Sequence, residues 1–252
     1  MNAWSSKWPG WPGRVVVSRD EVHVWRLSLE EPLELVPRLA LTLSSEERCK
    51  AERFRFVCHR NQFIFARGFL RRVVAFYLDC EPHAVQFSYS SKGKPQLDRS
   101  FHQTTVSFNL SHSNGLAMLA IGDGIQIGID VEFVRPICNV NELAERFFSP
   151  NEVTAFRTFP DSQRLIAFYT CWTRKEAFVK ASGDGLTCPL DSFDVSFADG
   201  KPAKVMGIAG SERKAAQWSI RELAPAHGYV AAVAYKGPDV KLTYLQGELV
   251  LN

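Results

Sequence analysis

One order of elements occurs twice along this chain, and it limits the architectures open to it. In the first half a helical pattern from Arg60 to Leu78 presents Phe63, Phe65, Phe69, Leu70, Val73, Val74 and Tyr77 as its apolar face. A strand Val85–Tyr89, the loop Lys92-Gly-Lys-Pro95 and the runs Val106–Leu110 and Leu116–Ile121 follow, the last two joined by Asn114-Gly115. Asn-Gly between two such runs is a strong hairpin signal, because both residues tolerate the positive φ of a two-residue turn. In the second half a helix ending near Gly183 precedes the strand Phe193–Phe197, Gly200-Lys-Pro202, the run Trp218–Ile220, a His227-Gly228 turn and the run Tyr229–Tyr235. Gly-Lys-Pro recurs after 107 residues (93 to 200) and the hairpin glycine after 113 (115 to 228). Coincidence between common elements is the competing explanation. The repetition predicts an α+β fold: a pseudo-dimer of two similar halves, each a small antiparallel sheet with packed helices, and a ligand cleft between them.

Boundaries follow from the same pattern. Residues 1–14, with three tryptophans and two Pro-Gly units, read as an extended Trp/Pro/Gly-rich arm. Residues 15–123 and 124–238 read as the N-terminal and C-terminal halves, and 239–252 as a C-terminal tail. Val15–Val17 and Val22–Leu27 alternate like strands around a turn near Arg19-Asp20. Ser44-Ser-Glu-Glu47 reads as a helix start, since a serine with glutamate three residues on can close a capping box. The turn Asp123-Gly124 and the run Ile125–Phe133 are expected to extend the first hairpin into a three-stranded meander.

Two motifs carry the chemistry. On a strand, Gly128-Ile-Asp-Val-Glu132 places Asp130 and Glu132 on one face, with Ile129, Val131 and Phe133 on the other. Two such acids repel unless a cation or solvent screens them. A solvent-facing edge strand with ordinary surface acids is the plainer alternative. In Trp172-Thr-Arg-Lys-Glu-Ala-Phe-Val-Lys180, Trp172, Glu176 and Lys180 recur every four residues and share a helix face. Leu165, Ile166, Phe168, Tyr169, Phe178 and Val179 mark that helix's buried side, and Ser182-Gly-Asp-Gly185 its stop. An i,i+4 Glu–Lys pair on a solvated helix competes with a functional reading. Three acids and a lysine can hold a hard cation and the anion it bridges, which points to phosphoryl or pyrophosphate chemistry.

Ser111-His112-Ser113, beside the hairpin turn, can donate to phosphate oxygens or serve only as polar turn residues. Lys92 and Lys94 around Gly93 can reach a phosphate or stay solvated, and the same holds for Lys50, Arg60, Arg67, Arg71 and Arg72. No Walker-type loop, Rossmann glycine pattern or Gly-x-Ser-x-Gly elbow occurs. A net charge of +3 tolerates an anionic ligand but falls short of the basic stripe of a nucleic-acid binder. No apolar run approaches a membrane span, so a soluble, cytoplasmic protein with no membrane or nucleic-acid partner is expected. Cys49, Cys58, Cys80, Cys138, Cys171 and Cys188 form no Cys-x-x-Cys pair and are expected as buried thiols.

Taken in order, Phe108-Asn-Leu-Ser-His-Ser113, Gly128-Ile-Asp-Val-Glu132 and Trp172-x-x-Lys-Glu-Ala-x-x-Lys180 resemble the motifs of the 4′-phosphopantetheinyl transferases of the large, single-chain, Sfp-like type. Lys92-Gly-Lys-Pro95 and Arg146-Phe-Phe-Ser149 are similar to that family as well, and the likeness runs from about Leu43 to about Phe197. The resemblance implies transfer of 4′-phosphopantetheine from coenzyme A to a serine of an apo acyl, peptidyl or aryl carrier protein, releasing adenosine 3′,5′-bisphosphate. It implies Mg²⁺ held by Asp130, Glu132 and Glu176, with Asp130, Glu176 and Lys180 as the catalytic group and Glu176 as the base toward the carrier serine. Lys180 and Lys175 would steady phosphates, Ser111 and His112 would meet phosphates at the nucleotide end, and Lys94 and Pro95 would lie near the adenine.

For the 3′-phosphate, Lys50 fits a basic position of the family, while Glu47 stands where a relative has lysine and Arg60 or Arg67 would compensate. A single chain with two halves is expected to work as a monomer, because the second half already supplies the partner surface; family analogy and local apolarity place carrier docking near Phe147, Phe148 and the 150s segment. A non-catalytic coenzyme A or nucleotide-binding module and a metal-dependent phosphohydrolase are the alternatives. The intact acid set argues against the first, and the scarcity of histidine against the second.

Overall fold

In a computed structural model the chain is described over residues 15–30, 32–185, 188–198 and 202–247. The expected arm 1–14 and Gly200-Lys201 of the second Gly-Lys-Pro lie outside these residues. The chain forms two compact units, one built from residues up to Ser88 with Pro95–Gly124 and the end of the chain, the other from Tyr89–Lys94 and Ile125–Lys241.

The first unit contains β1 (Glu21–Ser28), α1 (Leu35–Ala40), α2 (Ser45–Glu52), α3 (Val57–Leu78), β4 (Val106–Ser113) and β5 (Leu116–Asp123), with the ribbon β2 (Phe87–Tyr89) and β3 (Pro95–Leu97) between them. The second contains β6 (Ile127–Phe133), α4 (Val140–Phe147), α5 (Pro150–Arg157), α6 (Asp161–Ser182), β7 (Phe193–Val195), β8 (Val205–Ile208), α7 (Glu212–Ala215), β9 (Trp218–Leu223) and β10 (Tyr229–Lys236). A last strand, β11 (Lys241–Gln246), joins the first sheet, whose order is β11-β1-β5-β4; the second sheet is β6-β10-β9. Both units are α+β and share one order: strand, two short helices, a 22-residue helix, a two-stranded ribbon and a hairpin.

The likeness extends to single side chains. Ser44 caps α2 and Ser149 caps α5, each accepting from the amide of the glutamate three residues on, which closes a capping box in both places. Each of these glutamates also receives a buried cation from the long helix of its own unit. Glu47 takes Arg71 at 2.6 Å and Arg67 at 2.5 Å, and Glu152 takes Lys175 at 2.5 Å. A cap, a short helix and the long helix behind it are thus locked by one carboxylate in each unit.

Hydrophobic burial supplies the rest. In the first unit Trp25, Leu27, Phe65, Phe69, Leu70, Val73, Val74, Leu119 and Ile121 pack as one cluster, joining α3 to the sheet. The Asn114-Gly115 turn closes the β4–β5 hairpin with φ of 42° and 83°, the positive values that Asn-Gly accommodates. In the second unit Phe148, Phe156, Phe168, Phe178, Phe193 and Ala232 belong to the corresponding cluster around α6.

Five expectations are corrected. The three-stranded meander does not form: β1 and β4 already occupy both edges of β5, so β6 has no edge to join and pairs with β10 instead. Residues 241–246, expected within a tail, form β11 on the edge of β1. Residues 15–18 form no strand, and Val85 stays outside β2 because its carbonyl accepts from the Arg71 guanidinium at 2.9 Å. Of the six cysteines only Cys171 is buried; Cys49, Cys58 and Cys138 are exposed and Cys80 and Cys188 half-buried.

Candidate active site

The site is made by the helix-facing side of β6 and one stripe of α6. Residues directly opposite on antiparallel strands share a face, so Gly128 with Ala234, Asp130 with Ala232 and Glu132 with Val230 form that side of the sheet. Its residues at the closest approach are small. A Cβ on Gly128 would lie 2.2 Å from the Ala177 carbonyl oxygen and 2.3 Å from the Ala181 nitrogen, so glycine is what lets strand and helix backbones touch. Ala177 and Ala181 on the helix and Ala232 and Ala234 on the sheet are all buried. The strand is an edge strand, yet Asp130 is only 4% exposed, which removes the plain surface-acid alternative.

Along α6, residues 173–175, 177–179 and 181 are buried, while Trp172, Glu176 and Lys180 are half-buried. Between Cys171 and Ala181 the i,i+4 stripe is therefore the accessible side of the helix. Lys180 Nζ donates to Asp130 Oδ1 at 2.5 Å. Burial raises the Glu176 carboxyl above its ordinary value, Asp130 and Glu132 raise it further, and Lys180 alone among these neighbours opposes them. Three carboxylates and one ammonium thus share a field, with one negative charge more than the lysine and a single proton can neutralise.

That donor set is all hard oxygen, the chemistry a Mg²⁺-type cation takes. As they stand, no three acid, histidine or cysteine side chains among the described residues gather closely enough to enclose a metal, and Lys180 supplies the positive charge at Asp130.

Lys94, in the segment that groups with this unit, donates from Nζ to the carbonyls of Ile127 at 2.8 Å and Lys180 at 2.5 Å. Burial, reinforced by Lys180, pushes its ammonium down to about 8. Its expected ligand-facing role is thereby replaced by contacts to protein backbone.

Lys175 is corrected outright. It is 0% exposed, and its ammonium is taken by both Glu152 oxygens at 2.7 and 2.5 Å and by the Phe193 carbonyl at 2.7 Å. One residue from Glu176 is about 100° around a helix, and that rotation carries Lys175 into the core, away from any phosphate. Burial raises the Glu152 carboxyl, against the pull of Lys175 and of the Val195 and Ser149 amides.

Among first-unit candidates, Arg67 is bound to Glu47 and lies over the Phe87 ring, 5.2 Å from its centroid, so it serves the capping glutamate. Lys50 is exposed, with its ammonium 5.4 Å from the Phe63 ring centroid. On β4, Ser111 is buried and His112 exposed, as alternation requires, and Pro95 opens β3 half-buried. Phe148 cannot dock a carrier: it is buried and stacked on Phe168 at 5.3 Å. Phe147 is half-buried, edge-on to Trp172 at 5.4 Å.

The residue that sequence reasoning missed is Glu152. Ser149-x-x-Glu152 repeats the Ser44-x-x-Glu47 spacing, and that signal was available to find both the cap and the partner of Lys175.

Acids and a lysine on facing strand and helix are the equipment of an enzyme handling a phosphorylated substrate. Comparison with known proteins narrows the class. Residues 126–234 match the family model of the 4′-phosphopantetheinyl transferase superfamily, and residues 31–122 that of the 4′-phosphopantetheinyl transferase N-terminal region. The chain is 42% identical to 4′-phosphopantetheinyl transferase HetI of Nostoc sp. over 91% of its own length and 94% of that protein's. It is 31% identical to 4′-phosphopantetheinyl transferase Sfp of Bacillus subtilis over 69% of this chain and 76% of Sfp. With the human L-aminoadipate-semialdehyde dehydrogenase-phosphopantetheinyl transferase it shares 29% identity over 79% of this chain and 68% of that one. The chain belongs to the 4′-phosphopantetheinyl transferase superfamily and is an enzyme of its large, Sfp-like type.

Proposed function

We propose that the protein moves 4′-phosphopantetheine from coenzyme A to the serine hydroxyl of an apo carrier protein, with Asp130, Glu132 and Glu176 holding Mg²⁺. When bound, that ion would neutralise charge developing on the pyrophosphate. The observation that carries the reading is that Asp130 and Glu132 from β6 and Lys180 from α6 all act electrostatically on the Glu176 carboxyl, with Lys180 paired to Asp130, although the three acids do not enclose a metal as they stand.

Glu176 is the group suited to take the serine proton. In the metal-free protein burial, and then Asp130, raise its carboxyl above the ordinary value, which strengthens it as a proton acceptor. Lys180, half-buried and paired with Asp130, is the cation placed beside the acids to attract phosphate oxygens. Lys50, Pro95, Ser111 and His112 are assigned to the nucleotide by family analogy, and Arg67 and Lys175 are withdrawn from that assignment. We propose a cytoplasmic, monomeric enzyme; no helix among the described residues is long and apolar enough to cross a membrane.

The test is intact-mass spectrometry of an apo carrier incubated with the protein, coenzyme A and Mg²⁺. A gain of one phosphopantetheine, abolished by Glu176→Gln, is expected. No gain with fatty-acid and peptide carriers, despite coenzyme A binding, would refute the transfer.

A further inference from the structure

Lys94 makes contacts that its place in a Gly-Lys-Pro loop does not explain. Its ammonium reaches Ile127, the first residue of β6, and Lys180, two residues before the end of α6. The last four carbonyls of a helix lack an intrahelical partner and lie at the negative end of its dipole, so a cation there is favoured. The Ile127 oxygen belongs to the strand that bears Asp130 and Glu132, and the Lys180 oxygen to the helix that bears Glu176.

We propose that Lys94 is a positioning residue for the transfer reaction: by bonding both carbonyls at once, its ammonium braces the start of β6 against the end of α6 and fixes the spacing of the acids the two elements carry. The inference rests on the phosphopantetheinyl transferase reading for its kinetic part only.

Three further features support the brace. The contact lies where strand and helix are closest, next to Gly128, whose Cβ would strike α6 backbone. The loop that presents Lys94 is itself fixed: Ser90 Oγ accepts from the Lys92 and Lys94 amides, and the Ser90 amide donates to the Lys94 carbonyl at 2.9 Å. The ammonium is also kept at a cost, since burial and Lys180 lower its affinity for the proton to about 8. Two charge-assisted bonds to carbonyls offset that cost, and a solvated loop lysine would have none to offset.

The test compares Lys94→Met, which keeps the aliphatic stem, with Lys94→Arg, which keeps charge and donors. Steady-state transfer to an apo carrier is measured with coenzyme A varied, and amide hydrogen exchange is followed in peptides covering 127–133 and 176–184. Lys94→Met is expected to lower kcat by roughly ten- to a hundredfold, the cost of misplaced reacting groups, with the coenzyme A KM within about twofold. Exchange should rise in both peptides, and Lys94→Arg should restore most of kcat and the protection. A raised coenzyme A KM with unchanged kcat would make Lys94 a ligand contact and overturn the proposal, as would unchanged exchange in Lys94→Met. If the wild-type protein transfers to no carrier, the functional reading fails by itself, and exchange in the two variants still decides the brace. Should Lys94→Met not fold, Lys94→Gln, an uncharged donor, takes its place under the same outcomes.

Discussion

Replacing Gly128 with alanine tests the contact on which the site's spacing depends. The added Cβ would sit 2.2 Å from the Ala177 oxygen, 2.3 Å from the Ala181 nitrogen and 2.8 Å from the Lys180 carbonyl carbon. All three are main-chain atoms of α6, held by the helix's own hydrogen bonds, so no side chain can swing aside. Ordinary contact begins near 3.4 Å, so strand and helix must separate by roughly 1 Å. Overpacking of this kind costs about 1–3 kcal/mol, and about 2–4 °C in Tm per kcal/mol for a chain of this size. The separation also pulls Asp130 and Glu132 from Glu176, and a displacement of about 1 Å at reacting groups costs on the order of 100-fold in rate. Differential scanning fluorimetry and steady-state transfer should therefore show a lower Tm together with a larger loss in kcat. Gly207→Ala is the control, since its Cβ would meet only Asp194 Oδ2 at 3.6 Å, an ordinary contact. Wild-type Tm and kcat in Gly128→Ala would refute the close approach.

Glu47→Gln leaves the buried Arg71 and the half-buried Arg67 without their counter-charge and should destabilise by about 3–5 kcal/mol in denaturant titration. Burial raises the Glu47 carboxyl, but Arg67, the Ser44 amide and Arg71 outweigh it and hold the group below its ordinary value. Its stabilisation is present above that value and lost as pH falls through the lowered one, so the mutant's deficit should shrink in acid. Lys175→Met should likewise cost about 3–5 kcal/mol while the coenzyme A KM stays within about twofold, and Lys175→Met with Glu152→Met should recover part of the loss. Glu176 titrates the other way: its raised carboxyl contributes stability that is complete below its ordinary value and disappears as pH rises through the raised one. Metal-free wild-type protein should thus lose Tm across that window, and Glu176→Gln should lose less; parallel curves would contradict the crowding of acids.

Local chemistry was legible wherever a short pattern decides it. Ser44 and Glu47 form the box their spacing announces, Asn114-Gly115 makes its hairpin, and Trp172, Glu176 and Lys180 share the half-buried stripe of the C-terminal half of α6. Asp130 and Glu132 face together because a strand alternates, whatever it packs against. What escaped depends on partners distant in the chain. Lys175 looks like any lysine beside Glu176, the proposed base, until Glu152, 23 residues away, is known to lie beneath it. The fate of Ile125–Phe133 turned on whether β5 had a free edge, which β1 decides from about a hundred residues earlier. Phe148 carried no mark separating a docking aromatic from a core one, and its stack on Phe168 assigns it to the core. Gly128 read as part of a motif, and only the packing of α6 shows why a side chain is excluded there.

The central claim is that Asp130, Glu132 and Glu176 act as one divalent-cation site. Electron paramagnetic resonance of Mn²⁺, titrated with the protein in the presence of coenzyme A, tests it without requiring turnover. Wild-type protein should remove the free-ion signal with one site per chain, and Asp130→Asn and Glu132→Gln should each weaken binding by at least about tenfold, the loss expected when a charged ligand is neutralised. Mn²⁺ affinity equal to wild type in both variants, or no binding by the wild type, would contradict the account.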